Sequence, residues 1–307
     1  MDMTAIIQKM LSLFLLLVLG YLCNRVKLMD APFCSRLSKL VANVSMPAIV
    51  LYSAMGEELA FSDRELLRLI AVSMAFFVFL ALSALVFPYV WRPEKGDMGT
   101  YRFMTMFPNA AFMGYPVVSA VFGSGAILYA AVLNLPFNLA VFSIGPLLLS
   151  GGRDGKQPDP KTLLNPGIFA AVAALAMILT GFRAPAVLED ITGMLGSSTT
   201  PLAMLIIGSN LADMPLKKVF GSPRMYVFSA FRLILSPVLL WFILRPFVTD
   251  PMALGTAVVL AGMPTATNAS ILSAQYGGNV ELAAQGVMIT TLLSVLTIPV
   301  VQYFLFR

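Results

Sequence analysis

Ten apolar runs follow one another along the chain, each about as long as a bilayer-spanning helix and separated only by short polar connections. A helix crossing the hydrocarbon core needs roughly 20 mostly apolar residues. Runs of this kind predict spans at 5–23, 38–55, 66–90, 103–122, 126–150, 163–181, 191–212, 225–247, 253–276 and 282–305. Connections such as Gly56-Glu57-Glu58, Arg92–Asp97 and Gly151–Lys156 leave no room for a separate soluble domain. The expected fold class is therefore an all-α membrane protein. Composition excludes a soluble enzyme and a disordered chain: 59% of residues are hydrophobic and 11% charged, against about 25% charged in soluble domains.

The chain has no His, and its Cys are Cys23 and Cys34. The common zinc sites, Cys-His dyads and His triads are thereby excluded, and neither a metal nor a cofactor is expected. The net charge of +5 comes from scattered loop residues rather than one basic face, so no nucleic-acid partner is expected. The bilayer is the expected surrounding. The first run follows Lys9 and continues into Asn24-Arg25-Val26-Lys27 without a small-residue cleavage site, so it reads as a first helix rather than a signal peptide.

Lys and Arg set the orientation. One side collects thirteen of the 20, among them Arg25, Lys27, Arg92, Lys95, Arg153 and Lys217; the other collects six, including Lys9, Arg64 and Arg245. The richer side is expected to be cytoplasmic. Both termini then face the extracytoplasmic side of the cell (inner) membrane.

The two halves resemble each other at an offset of 154 residues. Pro47 falls on Pro201, Gly123 on Gly277, Ser119 on Ser273, Leu128 on Leu282 and Ala130 on Ala284. Repeats of 1–153 and 154–307 would each hold five spans. An odd number inverts the second repeat, giving the 5+5 inverted-topology plan of many secondary transporters.

The same plan directs attention to matched Gly/Pro-interrupted spans. Here these are Phe107-Pro108-Asn109-Ala110-Ala111-Phe112-Met113-Gly114-Tyr115-Pro116 in span 4 and Gly262-Met263-Pro264-Thr265-Ala266-Thr267-Asn268 in span 9. Proline inside a helix costs about 3 kcal/mol, and backbone groups freed in lipid cost several kcal/mol each unless answered by protein or water. Two such breaks point to a polar cavity, where half-helix amino termini favour an anion. Plain bending is the competing reading for either break alone. Asn109 and Asn268 are amides that both donate and accept. They can hold a carboxylate oxygen or a water, or satisfy an unwound turn.

At these residues the chain resembles the auxin efflux carrier family, which includes plant PIN-type auxin exporters and bacterial transporters of malate or malonate. The resemblance covers nearly the whole chain and is carried most specifically by Asn109-Ala110-Ala111-Phe112-Met113-Gly114-Tyr115-Pro116. It implies that broken helices 4 and 9 cross and that an anion's carboxylate is held near the crossing. The implied substrate-binding residues are Pro108, Asn109, Gly114, Pro116, Pro264, Thr265 and Asn268. Asn43, Pro47, Thr200 and Pro201 would face the same cavity from the scaffold side. Helices 3–5 and 8–10 would move against helices 1, 2, 6 and 7, in a homodimer joined through helices 2 and 7. Asn268 precedes Ala269 where plant members often have a second Pro, and the plant members' long central loop is absent.

Arg232 is the formal charge set deep within a predicted span. Such a residue costs at least about 2.5 kcal/mol on insertion. It can snorkel or pair with helix-end carbonyls, counter a substrate anion, or lock a gate. With no His and no acid deep in a span, a side-chain relay for H⁺ is missing, so H⁺ coupling would run through the substrate's own protonation, and transport without a coupling ion is open as well. Na⁺ remains open, because hydroxyls such as those of Thr200 and Thr265 suit a hard cation. The expected function is transport of a small organic anion by alternating access. The alternative is a Na⁺-coupled organic-anion symporter resembling the bile-acid/sodium symporters. An intramembrane enzyme is not expected, because no DxxxD cluster and no nucleophile–base pair is present.

Overall fold

Caps and prolines mark where helices begin in the computed structural model, which describes residues 3–55, 63–94, 96–150, 166–182, 184–213 and 222–305. The expected connections at 56–58 and 151–156, the start of the 163–181 run, and Lys95, Arg183 and Lys217 fall outside these residues. The Asp30 carboxylate accepts from the Phe33 amide at 2.8 Å, and Asp250 from the Met252 amide at 2.8 Å. In both cases Pro follows within two positions, pre-set for a first helical turn that needs no donor there.

The named elements are helices: α1 (Met3–Arg25), α2 (Ala31–Leu40), α3 (Met46–Met55), α4 (Asp63–Val86), α5 (Met98–Met106), α6 (Tyr115–Phe122), α7 (Ala126–Leu149) and α8 (Pro166–Thr180). They continue with α9 (Ala186–Ser197), α10 (Thr199–Ala212), α11 (Pro223–Ala230), α12 (Ser236–Leu244), α13 (Pro251–Ala261), α14 (Ala269–Tyr276) and α15 (Val280–Leu305). Wide π-helical turns join α2 to α3 (Val41–Ser45), lead into α6 (Ala110–Gly114) and join α11 to α12 (Phe231–Leu235). Helix therefore falls on each of the ten expected segments. Arg64–Tyr89, Ala186–Ala212, Pro223–Leu244 and Val280–Leu305 are by themselves long and apolar enough to cross a membrane. Helix α7 is a further candidate, bent by 50° between Ala126–Val141 and Ser143–Leu149. The bend has a local cause: the Pro146 ring crowds the carbonyl one turn earlier. Leu67 and Leu82 on α4, and Leu296 and Phe304 on α15, stand exposed, as lipid-facing side chains do.

Helix ends recur at the offset seen in the sequence. Helices α6 and α14 have eight residues each and end at Gly123 (φ 92°) and Gly277 (φ 81°). Positive φ is the region glycine enters without a Cβ penalty. The helices that follow start three residues later in each case, at Ala126 and Val280, again 154 residues apart.

The chain forms two compact units that draw on both halves. The first comprises 1–71, 111–135 and 164–214; the second comprises 72–110, 136–163 and 215–307. In the first unit α1 lies against α10 at backbone distance. A Cβ on Gly20 would overlap the Leu205 carbonyl, and one on Gly208 would overlap the Leu17 carbonyl. Packing through small residues is how apolar helices associate without a hydrophobic driving force. Ser209 ties the end of this pair, accepting from Asn24 Nδ2 and Cys34 Sγ, both at 3.1 Å. Helix α3 packs on α8 and α9, with Ile49 over Gly196 and the Tyr52 ring over Gly193.

The second unit is organised around α15, which packs against α5, α11, α12 and α14. Gly286 on α15 admits the Met104 side chain. Trp91 lies near Tyr101, Phe228 and Phe231, with ring centroids 5.7–5.9 Å apart. Gly99 lets α5 approach the Leu148 carbonyl of α7.

Candidate functional site

A residue before proline is pushed out of the helical region, and this ends α5. Phe107 makes the last helical bond, its amide donating to the Phe103 carbonyl at 3.0 Å, and then turns extended (φ −107°, ψ 101°). Helix α13 ends one residue before Gly262, which caps it at φ −84° and ψ 2°, with Pro264 two residues further on. The two interruptions, both in the second unit, answer each other. Pro108 and Thr265 form an isolated antiparallel bridge. Asn109 N–H donates to the Pro264 carbonyl at 2.7 Å, and Ala266 N–H donates to the Phe107 carbonyl at 3.1 Å.

This bridge explains the prolines. In an antiparallel pair flanked by hydrogen bonds, the two opposed residues use neither of their own amides in the ladder. Pro108 occupies one such place, and Pro264 contributes a carbonyl only. Neither missing N–H is needed. The remaining amide, that of Thr265, donates to Thr290 Oγ1 of α15 at 3.0 Å, and that hydroxyl donates onward to the Gly286 carbonyl at 2.6 Å. The amides of Asn109, Thr265 and Ala266 and the carbonyls of Phe107 and Pro264 are thus satisfied inside the unit, as a hydrocarbon surrounding demands.

Arg232 sits in the π-helical turn between α11 and α12 with no solvent exposure. Its Nε donates to the Met263 carbonyl at 3.1 Å and its Nη1 to the Thr105 carbonyl at 2.9 Å. The Thr105 carbonyl lies in the last turn of α5, where a helix leaves acceptors unused and carries partial negative charge, and the Met263 carbonyl lies two residues past the end of α13. Among the described residues its hydrogen-bond partners are carbonyls, not carboxylates.

Among the described residues, four polar atoms around the bridge have no protein partner: Asn109 Nδ2, Thr265 Oγ1, Asn268 Oδ1 and Arg232 Nη2. Asn109 is 4% exposed and Thr265 fully buried; Asn268 is half-buried and begins α14 without a side-chain cap. A buried donor or acceptor left unmade costs about 1–3 kcal/mol. The set contains an amide donor, a guanidinium donor, a hydroxyl and an amide acceptor. Such a set suits a small polar ligand with carboxylate oxygens, or waters standing in for one.

The other expected residues belong to the first unit. Gly114 ends the π-helical turn before α6 and Pro116 is the second residue of α6, both buried. Between them the Tyr115 hydroxyl is hydrogen-bonded to Asn134. Pro47 is the second residue of α3, and Thr200 and Pro201 lie in the first turn of α10, all half-buried. Asn43 is exposed and its amide donates to the Lys39 carbonyl at 2.8 Å. Ser45 and Ser198, at the breaks in their helices, meet hydroxyl to hydroxyl at 3.2 Å. Sequence reasoning missed Thr290; a Thr290-Thr291 pair inside an otherwise apolar run was the available signal.

The sequence profile of the family described as "Membrane transport protein" matches residues 5–157 and 156–302. A protein of Rhizobium meliloti named "Putative malonate transporter" is 28% identical, over 99% of this chain and 97% of its own length. An "Uncharacterized transporter" of Methanothermobacter thermautotrophicus is 26% identical, over 95% of this chain and 96% of its own. The "Auxin efflux carrier component 8" of Arabidopsis thaliana is 20% identical, over 99% of this chain and 98% of its own.

Proposed function

Since the chain belongs to the membrane transport protein family, that of the auxin efflux carriers, and is a multi-pass membrane protein rather than an enzyme, we propose that it moves a small organic anion by alternating access. A carboxylate is bound where the interruptions of spans 4 and 9 cross. The observation that carries this reading is the bridge between Pro108 and Thr265 with unpartnered Asn109 Nδ2, Thr265 Oγ1 and Asn268 Oδ1 around it. Helix-end dipoles and amide donors recognise a carboxylate without a Lys at the site.

The ten-span 5+5 plan is part of the proposal. Its support is the matched pair of eight-residue helices with positive-φ glycine caps and the two family-profile segments that meet near residue 156. The termini then lie on the extracytoplasmic side of the inner membrane. The functional unit is a homodimer through helices 2 and 7. Malonate is the first substrate to try, from the name of one relative.

The test is thermal stabilisation of the purified protein by a panel of mono- and dicarboxylates, with Na⁺ or with K⁺, followed by uptake into proteoliposomes. At 100 times its dissociation constant a ligand adds about 2.7 kcal/mol. Stabilisation by one carboxylate, lost in Asn109→Ala and Asn268→Ala, is expected. Normal binding and uptake by both variants removes the crossing as the site, and a strict Na⁺ requirement assigns the protein to sodium-coupled symport.

A further inference from the structure

Arg232 reaches both interruptions at once. Nε holds the carbonyl of Met263 after α13, Nη1 holds that of Thr105 near the end of α5, and the side chain is completely buried. One of these carbonyls belongs to the last turn of α5 and the other follows the end of α13 by two residues, so two helix C-termini, each equivalent to about half a negative charge, lie at or beside its partners. Together they match one guanidinium. Resting on the anion-transport reading above, we propose that Arg232 is a positioning residue that neutralises these two C-termini, so that an anion binds at the crossing without a co-bound cation.

Three observations carry the argument. A guanidinium offers donors in a rigid fork, so one side chain sets the spacing between two carbonyls, which a flexible ammonium does not. The π-helical turn Phe231–Leu235 places Arg232 with its partners on two other segments of the chain. The hydrogen-bond partners it has among the described residues are neutral carbonyls, so its formal charge is set against dipoles alone. Without Arg232 the two carbonyl ends would repel an incoming carboxylate, and a small cation would have to take its place. With it, the amide donor of Asn109 meets the anion in a surrounding whose negative ends are already balanced.

The experiment compares the full-length wild type with Arg232→Met, Arg232→Gln and Arg232→Lys in detergent, using malonate as the anion probe and guanidinium, Na⁺ or K⁺ as the cation probe. Wild-type affinity is expected to be independent of Na⁺. In the neutral variants it should fall about tenfold or more and recover with millimolar guanidinium, while Arg232→Lys should lie between. Wild-type affinity in Arg232→Gln without added cation overturns the proposal, and so does absence of guanidinium rescue in both neutral variants. If Arg232→Met does not fold, the Gln and Lys variants carry the same contrast, with charge removed in one and kept in the other. If wild type binds no carboxylate, the transport reading fails separately. Guanidinium should then still raise the melting temperature of the neutral variants and not that of wild type, and equal shifts overturn the clamp.

Discussion

The two compact units solve the problem of apolar helices in opposite ways. In the first, α1 and α10 lie so close that Gly20 and Gly208 have no room for a Cβ, and contact between intact helices is maximised. In the second, α5 and α13 end in mid-course and their exposed backbone is satisfied by a bridge, a threonine hydroxyl and a buried guanidinium. Among the described residues of the first unit, Thr199 Oγ1 at the start of α10 is the one buried polar side-chain atom left without a partner. The interrupted region leaves Asn109, Thr265 and Asn268 each with an unmade hydrogen bond. Cohesion and chemical availability are thus assigned to different regions of one chain.

Substitutions can break that contrast. The largest effect is expected from Gly208→Leu, which drives a side chain into the Leu17 carbonyl. It should cost more than about 4 kcal/mol and leave no cooperative unfolding transition in detergent. Gly125→Ala, where a Cβ meets nothing within 4 Å, should stay within about 0.5 kcal/mol. Next comes Thr290→Val, which keeps the shape but strips the acceptor from the Thr265 amide. A loss of about 1–3 kcal/mol is expected in chemical denaturation. Ser209→Ala removes the group on which Asn24 and Cys34 converge and should cost about 1 kcal/mol without altering anion affinity. The smallest change in stability belongs to Asn109→Ala. Its amide nitrogen is buried and unpaired, so the melting temperature should hold or rise slightly while carboxylate binding disappears. An Asn109→Ala variant as unstable as Thr290→Val would make that amide structural and erase the distinction between the regions.

Much of this was legible in the sequence. Each apolar run carries helix, since ~20 apolar residues in succession leave few alternatives, but α2 begins at Ala31 and α5 at Met98, ahead of the expected 38 and 103. Pro108 and Pro264 marked the interruptions, since proline acts on its own neighbours. Gly123 and Gly277 gave the helix ends at a constant offset, and the structure finds both at positive φ. What escaped was set by distant parts of the chain. No local rule pairs Phe107 with Ala266, supplies Thr290 as an acceptor, or directs Arg232 to the carbonyls of Thr105 and Met263. Nor does a local rule divide helices 4 and 5: 111–135, expected with helices 3–5 and 8–10, falls with 1–71 and 164–214, while 72–110 and 136–163 join 215–307.

The two prolines also make the bridge unusually easy to watch. Pro108 and Pro264 carry no exchangeable amide proton, so the bridge is closed by two, on Asn109 and Ala266. The Thr265 proton between them is retained by α15 through Thr290 rather than by the opposite segment. In deuterium exchange a separation of the two segments would therefore register as faster labelling at Asn109 and Ala266 with Thr265 still protected. Unravelling of the whole region would release all three together. Peptides covering 107–109 and 264–266 hold both records, one for parting and one for melting.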